Sequence, residues 1–317
     1  MKEEMGREDE LAEPHDENRP PPRRDNPEWT FPLCSNVLLE VLEYLDVASL
    51  VEKKQVSSQW QELCVQAIDR KCGGAPKLFR TNKELRGAIQ KYINSSNNTQ
   101  EAEEIASTYS WPIGKWDVSK LEDFLSAFAS AHEFNEDISG WNISRATNTA
   151  AMFCSATSFN QSLADWVTSN VQCMDSMFEG AINFNQPLAD WNTSNVQYMS
   201  YMFHGAINFN QPLADWNTSN VQTMTGMFCQ AASFNQPLAD WNTSNLQTMR
   251  GMFQHATSFN QPLEDWDTSC VRSLQEMFHG ATSFNQQSVA PRWNTARVFN
   301  MIGVFCAARS CNHSLAD

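Results

Sequence analysis

No run of eighteen apolar residues occurs in the 317-residue chain, so none of it reads as a membrane-crossing helix. The first 28 residues lack an apolar core segment and carry ten acidic side chains, which argues against a secretory signal. Of the nine cysteines none stands in a Cys-x-x-Cys pair, and the number is odd, so free thiols in a reducing compartment are expected. Basic residues are scarce, 22 Lys and Arg against 37 Asp and Glu, for a net charge of −15. Such a surface repels phosphate backbones, and nucleic acid is an unexpected partner. The alternatives are that the charge serves solubility or that it favours basic partners. There is no glycine-rich phosphate loop, no Gly-x-Ser-x-Gly, no His-Glu-x-x-His and no zinc spacing. The histidines are scattered, so no catalytic residue, metal site or cofactor is expected, and the chain does not read as an enzyme.

What the chain does contain is one sentence repeated. Trp recurs at 116, 141, 166, 191, 216, 241 and 266, then at 293, and Phe recurs at 128, 153, 178, 203, 228, 253 and 278, then at 305. A fixed period of this size marks a solenoid, in which each unit buries its apolar face against its neighbours. Counted from its Trp, a unit places Val196, Met199, Phe203 and Ala206 at helical spacing. Ser194 and Gln197 read as a capping box at the start of that helix, and Gly205 as its end. Pro212 sets an extended path, and Leu213 to Trp216 reads as a strand. The expected fold is therefore an α/β repeat solenoid of leucine-rich-repeat type. It has one short parallel strand and one helix per 25-residue turn, over eight turns, behind a small all-α three-helix domain.

Stacking turns these positions into columns. The Asn column (Asn135, Asn160, Asn185, Asn210, Asn235, Asn260, Asn285) is expected to bond to the next turn's backbone. The Asp column (Asp165, Asp190, Asp215, Asp240, Asp265) must face solvent or find counter-ions. One row of carboxylates does not supply the six to eight oxygens that calcium takes. The Met column reads as core filling. Variation is concentrated on the outer side, which makes Tyr198, Tyr201, His204, Arg250 and His255 the candidate target-binding residues. In the last unit Cys311 stands where Phe is expected, and that end of the array is expected to be exposed, frayed or paired with another chain.

Ahead of the repeats, residues 1–28 are acidic and proline-rich and are expected to be disordered. Arg23 and Arg24 read as a solvated tail or a weak localisation signal. Residues 29–70 carry three short apolar-faced helices, a core so small that it suggests docking. Residues 71–110 read as a linker, a capping helix over TNKELRGAIQKYI, and a polar loop over 94–108. The repeats fill 111–317.

Two resemblances attach to these stretches. The positions of Leu33, Val37, Leu38, Val41, Leu42, Leu45, Asp46, Leu50, Val56, Ser57 and Trp60 resemble an F-box, with Cys34 where that motif has Pro. The resemblance implies docking on a Skp1-like adaptor and cullin through Leu33, Val37, Leu38, Val41, Leu42, Leu45, Leu50, Val56 and Trp60. The repeat itself, with its Met-Phe pair and Phe-Asn-Gln, is similar to the BspA-like leucine-rich surface repeats, which implies a binding role and no reaction. Together they imply the substrate receptor of a Skp1-cullin-F-box ubiquitin ligase, in the cytoplasm or nucleus, holding an unknown target protein. The alternatives are a BspA-like interaction scaffold without a ubiquitin role, and a regular mineral- or ice-binding face, which would need secretion.

Overall fold

The computed structural model describes residues 35–47, 49–50, 58–72, 76–95, 98–286 and 293–311. The tail 1–28, with Leu33, Cys34, Val56 and Ser57, lies outside the described residues. Four helices precede the repeats: α1 (Ser35–Leu42), α2 (Ser58–Cys72), α3 (Asn82–Asn94) and α4 (Thr99–Tyr109). Helix α1 packs on α2, α2 on α4 and α4 on α3. Leu39, Leu42, Val47, Leu50, Leu63 and Ile68 are all buried between them. Asp46 starts a helical turn after α1 by accepting the Ser49 N–H at 2.7 Å, and that bond holds its carboxyl below the usual carboxylate range.

The expected capping helix is present. Thr81 Oγ1 accepts the Glu84 N–H at 3.2 Å to start α3, which buries Leu85, Ala88, Ile89 and Tyr92. Tyr92 stacks on Trp111 at 4.3 Å and donates its hydroxyl to Glu136 at 2.5 Å. The polar loop expected over 94–108 is instead largely helix α4, started by Asn98, whose Oδ1 accepts the Glu101 N–H. Nor is all of the expected linker free. Phe79 is fully buried, stacks on Tyr109 at 4.3 Å, and donates its N–H to the Asp117 carbonyl.

The repeats stack in register, but not as an α/β array, and here the expected fold is corrected. Among the described residues the repeats contain no α-helix and no sheet. Parallel pairing is confined to isolated one-residue bridges that run Asp123, Asn148, Cys173, Tyr198, Thr223, Thr248, Ser273, Asn300. The stretch read as a helix is two successive β-turns. In the unit starting at Trp191, the Met202 N–H donates to the Met199 carbonyl and the Ala206 N–H to the Phe203 carbonyl. These are i to i−3 bonds rather than the i to i−4 bonds of an α-helix. The third residue of each turn, Tyr201 or Gly205, has φ of 58° or 65°. A positive φ at that one position is the mark of a type II turn. The stretch read as a strand is also a turn, closed by the Trp216 N–H on the Leu213 carbonyl. No capping box exists either: the Ser194 N–H donates to Asn192 Oδ1 in an Asx turn, and the Gln197 N–H donates to the Gln172 carbonyl of the preceding coil.

Backbone groups left over by the turns join the coils. The N–H groups at unit positions 9, 11, 13 and 15 donate to the carbonyls at positions 8, 10, 12 and 14 of the next coil. For coil 191–215 these bonds are Met199 to Thr223, Tyr201 to Thr225, Phe203 to Met227 and Gly205 to Cys229. The apolar side chains point into one continuous core. Phe203 stacks on Phe228 at 5.6 Å and on Phe209 at 4.0 Å, and Trp216 lies parallel to Trp191 and Trp241 at 6.4 Å. Each indole N–H reaches back to a backbone carbonyl, as Trp216 does to Leu188 at 2.9 Å. Buried Thr193, Thr218 and Thr243 donate to the next coil's backbone, so these interior polar atoms are all partnered. The Asn column works as expected. Asn185 Oδ1 accepts the Asn210 N–H at 2.9 Å and the Gln211 side-chain amide at 3.0 Å.

Candidate protein-binding surfaces

Two regions hold the residues singled out for binding. The first is the start of the helical unit. Helix α1 turns Leu39 and Leu42 inward, while Val41 is 57% exposed and Tyr44, just past the helix, is 90% exposed. Leu38, Leu45 and Trp60 are half-buried and packed against the core. Val37 stands on α1, and Leu33 and Val56 lie outside the described residues. Leu42 and Leu50 are fully buried, so these two docking candidates serve the core and are closed to a partner. Tyr44, which the sequence reading missed, is the most exposed aromatic of the region. It stands with Leu45 at the rim of a groove of about 790 Å³ whose other walls include Lys71, Cys72, Glu103 and Glu104. An ion pair between Arg70 and Glu43, 2.7 Å, ties α2 to the end of α1 beside it.

The second region is the outer ridge of the repeats, where the turn residues point outward. Tyr198 and Tyr201 are 39% and 40% exposed, and His204 lies with its Nδ1 3.1 Å from a Glu179 oxygen. The Tyr201 and His204 rings are 5.9 Å apart. Thus three of the five candidates share one coil. Arg250 and His255 lie two coils further on and are exposed; His255 leans on Gly280 and faces His279 at 5.1 Å. Ile182 and Ile207, one coil apart at the same unit position, are also exposed and widen the apolar part of the ridge. Sequence reading passed over them because His132, Thr157, Ala232, Thr257, Thr282 and Arg309 fill that position in the other coils. Beside the ridge, Ser200 donates its N–H to Asp175 at 2.6 Å, and Asp175 accepts from Cys173 as well. Burial nonetheless pushes the Asp175 carboxyl above its usual range.

The Asp column is exposed along its length. Among the described residues no three His, Cys, Asp or Glu side chains are grouped to hold a metal ion. All eight described cysteines are free. Cys229 is buried and its thiol is pushed up to about 11, first by burial and then by the charges of Glu276 and Glu179, so it is no nucleophile. Among the described residues no helix is long and apolar enough to cross a membrane.

A rigid stack of turns with a variable outer ridge is the architecture of a repeat protein. Residues 75–187, 161–261 and 214–317 match the family described as Mycoplasma protein of unknown function, DUF285, and the chain belongs to it. The matches cover α3, α4 and every coil, and they agree with the BspA-like reading of the repeats. Comparison with curated proteins and with solved structures found no match.

Proposed function

We propose that the protein is a non-catalytic adaptor that binds other proteins at two places. The helical unit docks on a Skp1-like adaptor of a cullin ubiquitin ligase, and the repeat ridge around Tyr198, Tyr201 and His204 holds a target protein. The observation that carries the docking half is the exposure of Val41 and Tyr44, three residues apart, on a helical unit whose other large apolar residues, among those described, are mostly covered. Large apolar side chains left in water on a small domain mark an interaction surface. The F-box resemblance supplies the identity of the partner, and a cytoplasmic or nuclear location follows from it.

Co-expression of the full chain with Skp1 and cullin tests this. The wild-type chain is expected to retain both, and Val41→Asp with Tyr44→Asp to lose them while its thermal unfolding stays unchanged. Failure of the wild-type chain to retain Skp1 removes the ubiquitin reading.

A second reading, an interaction scaffold without a ubiquitin role, is favoured by one observation. The family match begins at residue 75, so it takes in the repeats and their cap but not α1 and α2. Both readings use the ridge. Replacing Tyr198, Tyr201, His204, Arg250 and His255 by Ala is expected to abolish target capture in either, and unchanged capture would move the target site elsewhere.

A further inference from the structure

Helix α3 does not close the first coil completely. Between them runs a groove of about 710 Å³, with Lys83, Arg86 and Gln90 of α3 on one wall and Ala127, Ala129 and His132 of the coil on the other. The helix follows the coil, since Asn82 at its start bonds to Leu125 and Tyr92 near its end bonds to Glu136. Room between the two comes in part from Ala127, whose position is filled by Met in the next six coils.

The rest of the array shows what the coil wall lacks. At each junction between coils, the carbonyls at unit positions 8, 10, 12 and 14 take N–H groups from the coil before. In the first coil these positions are Asp123, Leu125, Ala127 and Ala129. Asn82 replaces one missing donor, its Nδ2 reaching the Leu125 carbonyl at 2.9 Å. The carbonyls of Asp123, Ala127 and Ala129 take no donor among the described residues, and neither does the buried Asn82 Oδ1. This wall is rich in acceptors and short of donors.

The helix wall offers cations and a gap. Lys83, Arg86, Gly87 and Gln90 follow the spacing of one helix face. Lys77 pairs with Glu84 and Lys91 with Glu104, whereas Lys83 and Arg86 have no carboxylate partner among the described residues. Of the two acids lining the groove, Asp123 is engaged by the Leu125 N–H and the Asn148 amide, both at 3.0 Å, and Glu133 belongs to the far end, beyond Ala129. Gly87 stands in the helix interior, where glycine is a poor helix former. A Cβ added there would meet nothing within 4 Å. No contact within the protein calls for glycine at this place, but a chain lying against the helix does.

We propose that the groove binds, in trans, an extended segment of a partner protein that carries an acidic side chain. An extended segment presents N–H groups on one side at every second residue. Two of them would take the Ala127 and Ala129 carbonyls, as the N–H groups at positions 13 and 15 do between coils, and the carboxylate would meet Lys83 and Arg86. A lone anion would leave the carbonyls without donors, and a basic segment would set like charges together. This site is separate from both surfaces proposed above.

The probe is the blocked peptide acetyl-Asp-Ala-Val-Ala-Val-Ala-amide, titrated into the full chain and followed by amide NMR shifts. Saturable shifts are expected at Gly87 and Ala129 and none at Tyr201. Of two forms methylated on alternate sets of peptide nitrogens, one is expected to bind at least tenfold more weakly and the other like the parent. Lys83→Glu with Arg86→Glu is expected to weaken the peptide at least tenfold and to bind the form with Lys in place of Asp better than wild type does. Gly87→Leu is expected to block the groove while unfolding at no lower temperature than wild type. The proposal is overturned if no shift saturates, if both methylated forms bind like the parent, or if the charge reversal leaves binding unchanged. Unchanged binding to a folded Gly87→Leu variant overturns it equally, and the charge reversal decides the matter should that variant not fold.

Discussion

The Tyr201 ring lies across Gly226: a Cβ added at residue 226 would come within 2.5 Å of Tyr201 Cε1 and 2.6 Å of Cδ1. Both residues hold the third place of a type II turn, with φ of 58° and 59°, in neighbouring coils. Gly205 has a similar φ of 65°, but a Cβ there would meet nothing nearer than 3.7 Å. Gly205→Ala should therefore cost only the left-handed backbone penalty, about 1–2 kcal/mol. Gly226→Ala should cost more, because the ring must also be displaced. In a Tyr201→Gly background the cost at 226 should fall to the Gly205 value, a coupling of about 1 kcal/mol. Denaturant unfolding of Gly205→Ala, Gly226→Ala, Tyr201→Gly and the Tyr201→Gly, Gly226→Ala double variant measures this, and equal costs at 226 with and without Tyr201 would show that the contact carries no energy.

These turns also show how far the sequence could be read. The period, the coil register, the Trp and Phe core columns, the Asn ladder and the α3 cap all follow from spacing, because each depends only on which positions are apolar or recur. The element type did not. Apolar residues at positions 6, 9, 13 and 16 have helical spacing, yet type II turns at 9–12 and 13–16 produce the same spacing. A signal for turns was present in the glycines. Gly226 and Gly251 occupy position 11, inside the supposed helix, while Gly180, Gly205 and Gly280 occupy position 15, at its supposed end. Glycine in a helix interior costs about 1 kcal/mol, so its recurrence at position 11 argues for positive φ. At the helical unit the pattern could not tell partner-facing from core-facing residues. Leu42 and Val41 are both apolar and adjacent, and only packing against α2 buries one and leaves the other in water.

The indole ladder predicts a second outcome. Trp216 donates to the Leu188 carbonyl at 2.9 Å in a site that is 3% exposed. Trp216→Phe keeps an aromatic ring but leaves that carbonyl without its donor, which should cost about 1–3 kcal/mol. Because contacts along the stack are local, faster amide exchange is expected in coils 166–190 through 241–265, which hold the Leu188 carbonyl and the Trp241 ring that Trp216 meets, and little change at α3. Uniform loosening along the whole array would mean that the coils do not behave as nearest-neighbour units.

Thiol chemistry should separate the cysteines by position. Cys306 is exposed in the last described coil, while Cys64 and Cys229 are buried. With a thiol pushed up to about 11, Cys229 is thiolate in only about one molecule in a thousand at pH 8. Among the eight described cysteines, alkylation followed by peptide mass mapping should label Cys306 first, and Cys64 and Cys229 only in denaturant. Rapid labelling of Cys229 in the folded protein would mean that its coil opens readily.

Asp175 gives a pH test whose sign is fixed by its surroundings. Burial raises its folded-state pKa above 3.8, against the opposing hydrogen bonds from Ser200 and Cys173. A carboxyl that holds its proton more tightly when folded stabilises the fold fully below pH 3.8, and this contribution is lost as pH rises through the folded-state pKa. At pH 7 the ionised group therefore works against folding. Asp175→Asn removes the charge while its Oδ1 can still accept the Ser200 N–H, now 2.6 Å from the Asp oxygen. The variant should be more stable than wild type at pH 7, and the advantage should shrink as pH is lowered towards 3.8. Urea midpoints for both proteins across that range measure it. An advantage that stays constant with pH would assign the effect to packing rather than to the carboxylate.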